Sequence, residues 1–133
     1  MRRTPLKRKS KNPRKVLLAK ADRLLQDYYR LKWKDKPCMC CNEKMELCHH
    51  FVLKSHSNRL RFEELNLIPI CNFCHSKVHG FHGEILNGLI ILSKGEKWLK
   101  EISRLKQDTT YKLPITKLRE LIEFYQEKIN QLK

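Results

Sequence analysis

With 133 residues, 41% of them hydrophobic, the chain can build one compact domain with extensions around a modest core, and cores of that size often need a staple. Twenty-nine Lys+Arg against 14 Asp+Glu leave a net charge of +15, which points to a polyanionic partner. No run approaches the roughly 18 apolar residues of a membrane span, and no apolar segment follows the first charges as a secretory signal requires, so the expectation is an intracellular protein, neither secreted nor membrane-bound.

Residues 1–12 are expected to be a disordered basic arm. Arg2, Arg3, Lys7, Arg8 and Lys9 stand there with no acid among them, a pattern that contacts a phosphate backbone without reading sequence. A helix is predicted over 13–34, and 13–35 form an N-terminal helical segment. Pro13 suits a first turn, and Leu17, Ala21, Leu24, Tyr28 and Leu31 recur at helical spacing. Lys36-Pro37 ends it.

The centre, 36–82, is rich in cysteine and histidine. A short strand is predicted over 45–49 and a second over 67–70, where Pro69 requires an edge or irregular pairing. The loop between them carries Lys54, Arg59 and Arg61 as positive points for neighbouring phosphates. NFCHSKVHG reads as a short helix closed by Gly80. Residues 83–133 read as helices that pack on the centre. GEILNGLIIL is followed by a turn at Ser93-Lys94-Gly95 and by EKWLKEISRLKQ, whose apolar stripe is Trp98, Leu99, Ile102 and Leu105. A last helix aligns Ile115, Leu118, Leu121, Ile122, Tyr125, Ile129 and Leu132. The fold class is α+β and mostly helical.

Four of the six cysteines form two C-x-x-C pairs, Cys38/Cys41 and Cys71/Cys74. Two such knuckles supply the four soft ligands of a structural zinc, and a full set leaves that ion no open position for catalysis. Cys40 could replace Cys41 in the first pair, but x-x is the spacing a knuckle uses. A thioredoxin-like redox pair would need a βαβ context that is missing.

A second constellation remains: His49, His50, Asn66, His75 and His79. His75 and His79, four apart, project from one helix face. A metal-bound imidazole has committed its lone pair and cannot also take a proton, so a hydrolytic site needs a ligand and a base. His49 could hold the metal while His50 accepts the proton, provided the strand bends to bring both rings to one cleft. The Asn66 amide oxygen could orient a neighbouring histidine or approach the metal.

The run ELCHHF … LRFEELNLIPICNFCHSKVHG resembles the HNH nuclease motif on its ββα-metal fold, in the variety with two zinc knuckles. Over roughly 36–133 it is similar to phage recombination nucleases of the Rap/NinG type. The resemblance implies a metal-dependent endonuclease hydrolysing DNA phosphodiester bonds in a phage-infected bacterial cell. His50 would be the general base and Asn66 would fix it. His49 with His75, His79 or both would hold one divalent cation: Mg²⁺ or Mn²⁺, with Zn²⁺ and Ni²⁺ as further candidates. Branched DNA is the implied substrate, and two cuts would call for a homodimer. The rival reading is a non-catalytic zinc-containing nucleic-acid-binding protein.

Overall fold

The computed structural model describes residues 12–80 and 82–133, so the basic arm with Arg2, Arg3, Lys7, Arg8 and Lys9 lies outside the described residues. Helix α1, Pro13–Lys32, starts where the Asn12 side chain accepts the Arg14 N–H (2.9 Å) and Pro13 presets the first turn. Its buried residues are Ala21, Leu25, Tyr28 and Tyr29. Leu24 and Leu31, placed in the stripe from spacing, are only partly buried. The buried face is displaced because α1 packs on two elements, the last helix and the sheet.

The sheet has two antiparallel strands, β1 (Leu47–His50) and β2 (Leu67–Ile70). The register pairs Leu47 with Ile70, Cys48 with Pro69, His49 with Ile68 and His50 with Leu67. β1 begins later than its sequence pattern suggests and takes in His50. Pro69 fits because each strand of a two-stranded sheet is an edge; its carbonyl accepts the Met39 N–H at 3.0 Å. The free edge of β1 is covered by a side chain. Gln26 of α1 donates to the Cys48 carbonyl (2.7 Å) and accepts the Cys48 N–H (3.0 Å), standing in for a third strand.

After β2 come α2 (Asn72–Val78), α3 (Gly83–Lys94), α4 (Glu96–Lys106) and α5 (Ile115–Leu132). Gly95, at φ 92°, makes the break between α3 and α4. Gly83 is required for a different reason: a Cβ there would run into the Val78 carbonyl oxygen, so only glycine lets α3 start against the end of α2.

Alternation along the strands divides the core. Cys48 and Leu67 pack with Tyr28, Tyr29, Tyr125 and Ile129 between α1 and α5. Ile68 packs on the other side with Ile90, Trp98 and Ile102 of α3 and α4, and with Val52 and Leu60 of the long loop. The predicted stripes of α4 and α5 are largely this core, although Ile115 and Leu132 at the ends of α5 are exposed. The expectation that the C-terminal helices clasp the centre needs one refinement: α5 lies chiefly against α1.

Candidate functional site

Two side-chain clusters flank α2, which is seven residues long. In the first, the ligand atoms of Cys38, Cys41, Cys71 and Cys74 all lie within 4.8 Å of one another. The first knuckle closes through Cys38 N–H to the Glu43 carbonyl (2.6 Å) and Asn42 N–H to the Cys38 carbonyl (2.9 Å), with Asn42 at φ 66°. The second is the start of α2 itself, where Cys71 is the N-cap and its sulfur accepts the Cys74 N–H at 3.4 Å. Glu46 completes that turn by accepting from both nitrogens of Asn72.

The sulfurs of Cys41 and Cys71 are 3.6 Å apart. Two thiolates on a tetrahedral zinc at the usual ~2.3 Å sit about 3.8 Å apart, so the spacing suits that ion. Burial works against ionising Cys38, but backbone N–H groups at its sulfur win and bring the thiol down to about 7. Cys40 turns away toward the Leu86 carbonyl (3.9 Å), and burial pushes its thiol up to about 11, which leaves Cys38/Cys41 as the first pair. Cys48, whose sequence context suggested no role, is a core residue.

In the second cluster the ligand atoms of His49, His75 and His79 again lie within 4.8 Å of one another. β1 supplies His49 and α2 supplies His75, while His79 is the residue that caps the end of α2. The Nε2 atoms of His75 and His79 are 3.2 Å apart. Two nitrogens sharing a tetrahedral ion at ~2.1 Å sit about 3.4 Å apart, so this pair also suits a metal. His49 is 2% exposed, and among the described residues its Nε2 has no hydrogen-bond partner. A buried, unpaired imidazole nitrogen costs free energy unless something occupies it. Burial, with His75, His79 and His50 nearby, drives His49 down to about 3, and burial also lowers His75. The rings of His49 and His75 are therefore neutral lone-pair donors at neutral pH. The residues present fit a metal ion.

His50 points from the opposite face of β1. Its Nε2 lies 2.8 Å from the Arg61 carbonyl oxygen, which can only accept, so Nε2 carries the hydrogen and Nδ1 keeps the lone pair. Burial lowers its pKa, opposed in part by the Arg61 carbonyl and Asp22. All four residues of β1 line one cavity of about 350 Å³ with Asp22 and Gln26 of α1, Lys54, His75 and His79. Both histidines thus reach the same space from opposite faces, because the cavity wraps the edge of the strand.

Asn66 is fully buried, and its amide hydrogen-bonds with backbone groups of the loop rather than with a histidine. The amide oxygen accepts the Val52 N–H (2.7 Å), and the amide nitrogen donates to the carbonyls of Val52 (2.9 Å) and Leu60 (3.2 Å). It closes the loop that carries the Arg61 carbonyl to His50. The loop cations are also differently placed from their expected role. Arg61 forms a two-pronged ion pair with Asp22 (2.6 and 3.2 Å), and Arg59 pairs with Glu63 at 3.0 Å and lies over Tyr111. Lys54, 3.7 Å from Asp22 and half exposed, stands on the cavity wall. Asp22 and Gln26 were not singled out from sequence. Their signal was two polar residues four apart beside the buried face of α1.

Among the described residues no helix is long and apolar enough to cross a membrane. No curated protein and no solved structure matches the chain. A family model does, over residues 2–133, and its description is the bacteriophage lambda NinG protein. On that match across nearly the whole length, the chain belongs to the phage NinG family.

Proposed function

We propose that the protein is a metal-dependent endonuclease that hydrolyses DNA phosphodiester bonds at the histidine cavity. The observation that carries this reading is the orphaned Nε2 of His49, facing His75 and His79, in the same cavity as a neutral His50 of defined tautomer. His49, His75 and His79 would hold the cation. Three imidazoles without a carboxylate favour zinc, nickel or another transition metal over Mg²⁺, which prefers oxygen donors. When bound, the ion supplies a Lewis acid that neutralises charge on the scissile phosphate and on the departing 3′ oxygen.

The chain's own residues do the rest. His50 takes the proton of the attacking water on Nδ1 while its Nε2–H remains on the Arg61 carbonyl. The water oxygen bonds to phosphorus, the bond to the 3′ oxygen breaks and that oxygen takes a proton from solvent water, leaving 5′-phosphate and 3′-hydroxyl ends. Asp22 faces the ring and stabilises the imidazolium that results. Asn66 acts as a positioning residue through Leu60, the neighbour of Arg61. Lys54 holds a flanking phosphate, whereas Arg59 and Arg61 keep the loop in shape. The substrate class is branched recombination DNA, in line with the resemblance to Rap/NinG nucleases, and cutting two strands calls for a homodimer.

The test is a metal-dependent cleavage panel on linear, nicked, single-stranded and branched DNA. His50→Ala is expected to lose at least about 100-fold in rate, with DNA binding nearly unchanged and a modest loss of thermal stability from the Arg61 carbonyl it strands. Full activity in that variant would end the mechanism. Binding without cleavage in the wild type would leave a non-catalytic nucleic-acid-binding protein.

A further inference from the structure

A second cavity, of about 610 Å³, lies along β2, at the edge of the sheet away from the histidines. Three lysines line it: Lys32 and Lys36 from the end of α1 and the turn after it, and Lys94 from the last turn of α3. Among the described residues Glu64 is the one acid on its wall, and it pairs with Lys32 at 2.6 Å. Lys36 is held over the Trp33 ring, 5.3 Å from its centre. Lys94 titrates below the ordinary lysine value, first because of burial and then because Lys36 faces it. Lys36 and Lys94 line one concave site, whose carboxylate lies at Lys32.

Three ammonium groups outnumber the one carboxylate on the wall, so the lysine side of the cavity favours an anion, and a phosphodiester is an anion that two ammonium groups can share. The Asn42 amide and the Ser93 hydroxyl on the same wall add neutral hydrogen-bonding groups. Pro37, Met39 and Leu65 give the cavity an apolar floor beside the charges. We infer that this cavity is a phosphate site for a nucleic-acid strand, gripped by Lys36 and Lys94 across the sheet from the histidine cavity. It anchors the strand and takes no part in cleavage.

The experiment measures binding of a fluorescein-labelled single-stranded oligonucleotide by anisotropy over a salt series. Lys36→Glu/Lys94→Glu is expected to bind about tenfold more weakly at physiological salt. Its log–log salt slope should fall by about 1.4, since each lost single-strand contact removes about 0.7. Lys112→Glu/Lys128→Glu removes the same charge elsewhere and should change affinity far less. Equal losses in the two variants would overturn the site, because net charge alone would then explain them. Lys36→Gln/Lys94→Gln guards against misfolding and should show an intermediate loss at unchanged melting temperature. Competition separates the sources of phosphate: tripolyphosphate should displace the strand only at concentrations far above the oligonucleotide's. Displacement at equal concentration would overturn the strand as ligand. Hydrolysis of bis(4-nitrophenyl) phosphate, too small to span both cavities, should be unchanged in every lysine variant. Its absence in the wild type would count against the nuclease reading alone, because the binding difference is read without cleavage.

Discussion

Asn66 has all of its amide hydrogen bonds inside the loop it closes, and this separates two roles that look alike in sequence. A residue that touched the reacting atoms would affect rate alone. A residue that pins Val52 and Leu60 must affect stability as well. Asn66→Ala strands one N–H and two carbonyls in a fully buried site, at roughly 3 kcal/mol. A drop in urea midpoint that accompanies the fall in cleavage confirms the positioning role; a rate loss at full stability would contradict it. His49 gives a prediction with a sign. Its folded-state pKa, about 3, lies below the unfolded value near 6.5, so the unfolded chain binds the extra proton. The stabilising effect is complete above about pH 6.5 and is lost as pH falls, amounting to about 2 kcal/mol by pH 5. The cysteine cluster is common to both proteins, so the comparison is with His49→Gln. Urea unfolding of the metal-free histidine site should show a steeper loss between pH 6.5 and 5 in the wild type than in the variant.

At the scale of elements, α2 serves two clusters with seven residues, and its far end is set by Gly83. Gly83→Ala forces the start of α3 away from the Val78 carbonyl, next to His79 at the end of α2. The expected result is weaker metal binding at the histidine trio in isothermal titration, with no ligand altered. Unchanged affinity and melting temperature would show that α3 gives way freely. Much of this was legible beforehand. Repeating apolar spacing located α4 and α5, two C-x-x-C pairs located the thiol cluster, and Gly95 marked the break after α3. What was hidden depends on partners distant in the chain. Arg61 reads as a free phosphate clamp until Asp22, 39 residues away, is seen to hold it. Spacing alone also put Leu24 on the buried face of α1, because it could not show that two different elements claim that helix. The paired histidines were expected to require a bent strand. An edge strand with a cavity around its rim satisfies both rings while keeping ordinary alternation.

The whole molecule behaves as one unit if its two clusters and its helices depend on the same sheet, and the core argues that they do. Cys38, Ile70, Cys71 and Cys74 pack as a group with Leu47 and Val78, so the thiol cluster braces the end of the sheet where Leu47 pairs with Ile70. Cys48, the next residue of β1, and Leu67, at the other end of β2, form the floor on which Tyr28, Tyr29, Tyr125 and Ile129 bring α1 and α5 together. Zinc binding energy in small domains is folding energy, of order 10 kcal/mol, comparable with the whole stability of a chain this size. Cys71→Ser removes a sulfur that caps α2 and would be one of four zinc ligands, so it should cost most of that term. If the sheet frays, the aromatic cluster between α1 and α5 loses its floor, although no residue of those helices has changed. Trp33 belongs to that cluster and reports on it directly. Chelation of the wild type, or Cys71→Ser, is therefore expected to shift Trp33 fluorescence and helical circular dichroism together, in one transition. A chelator that unravels the centre while the α1–α5 pair keeps its helical signal would show instead that the two long helices stand without the sheet.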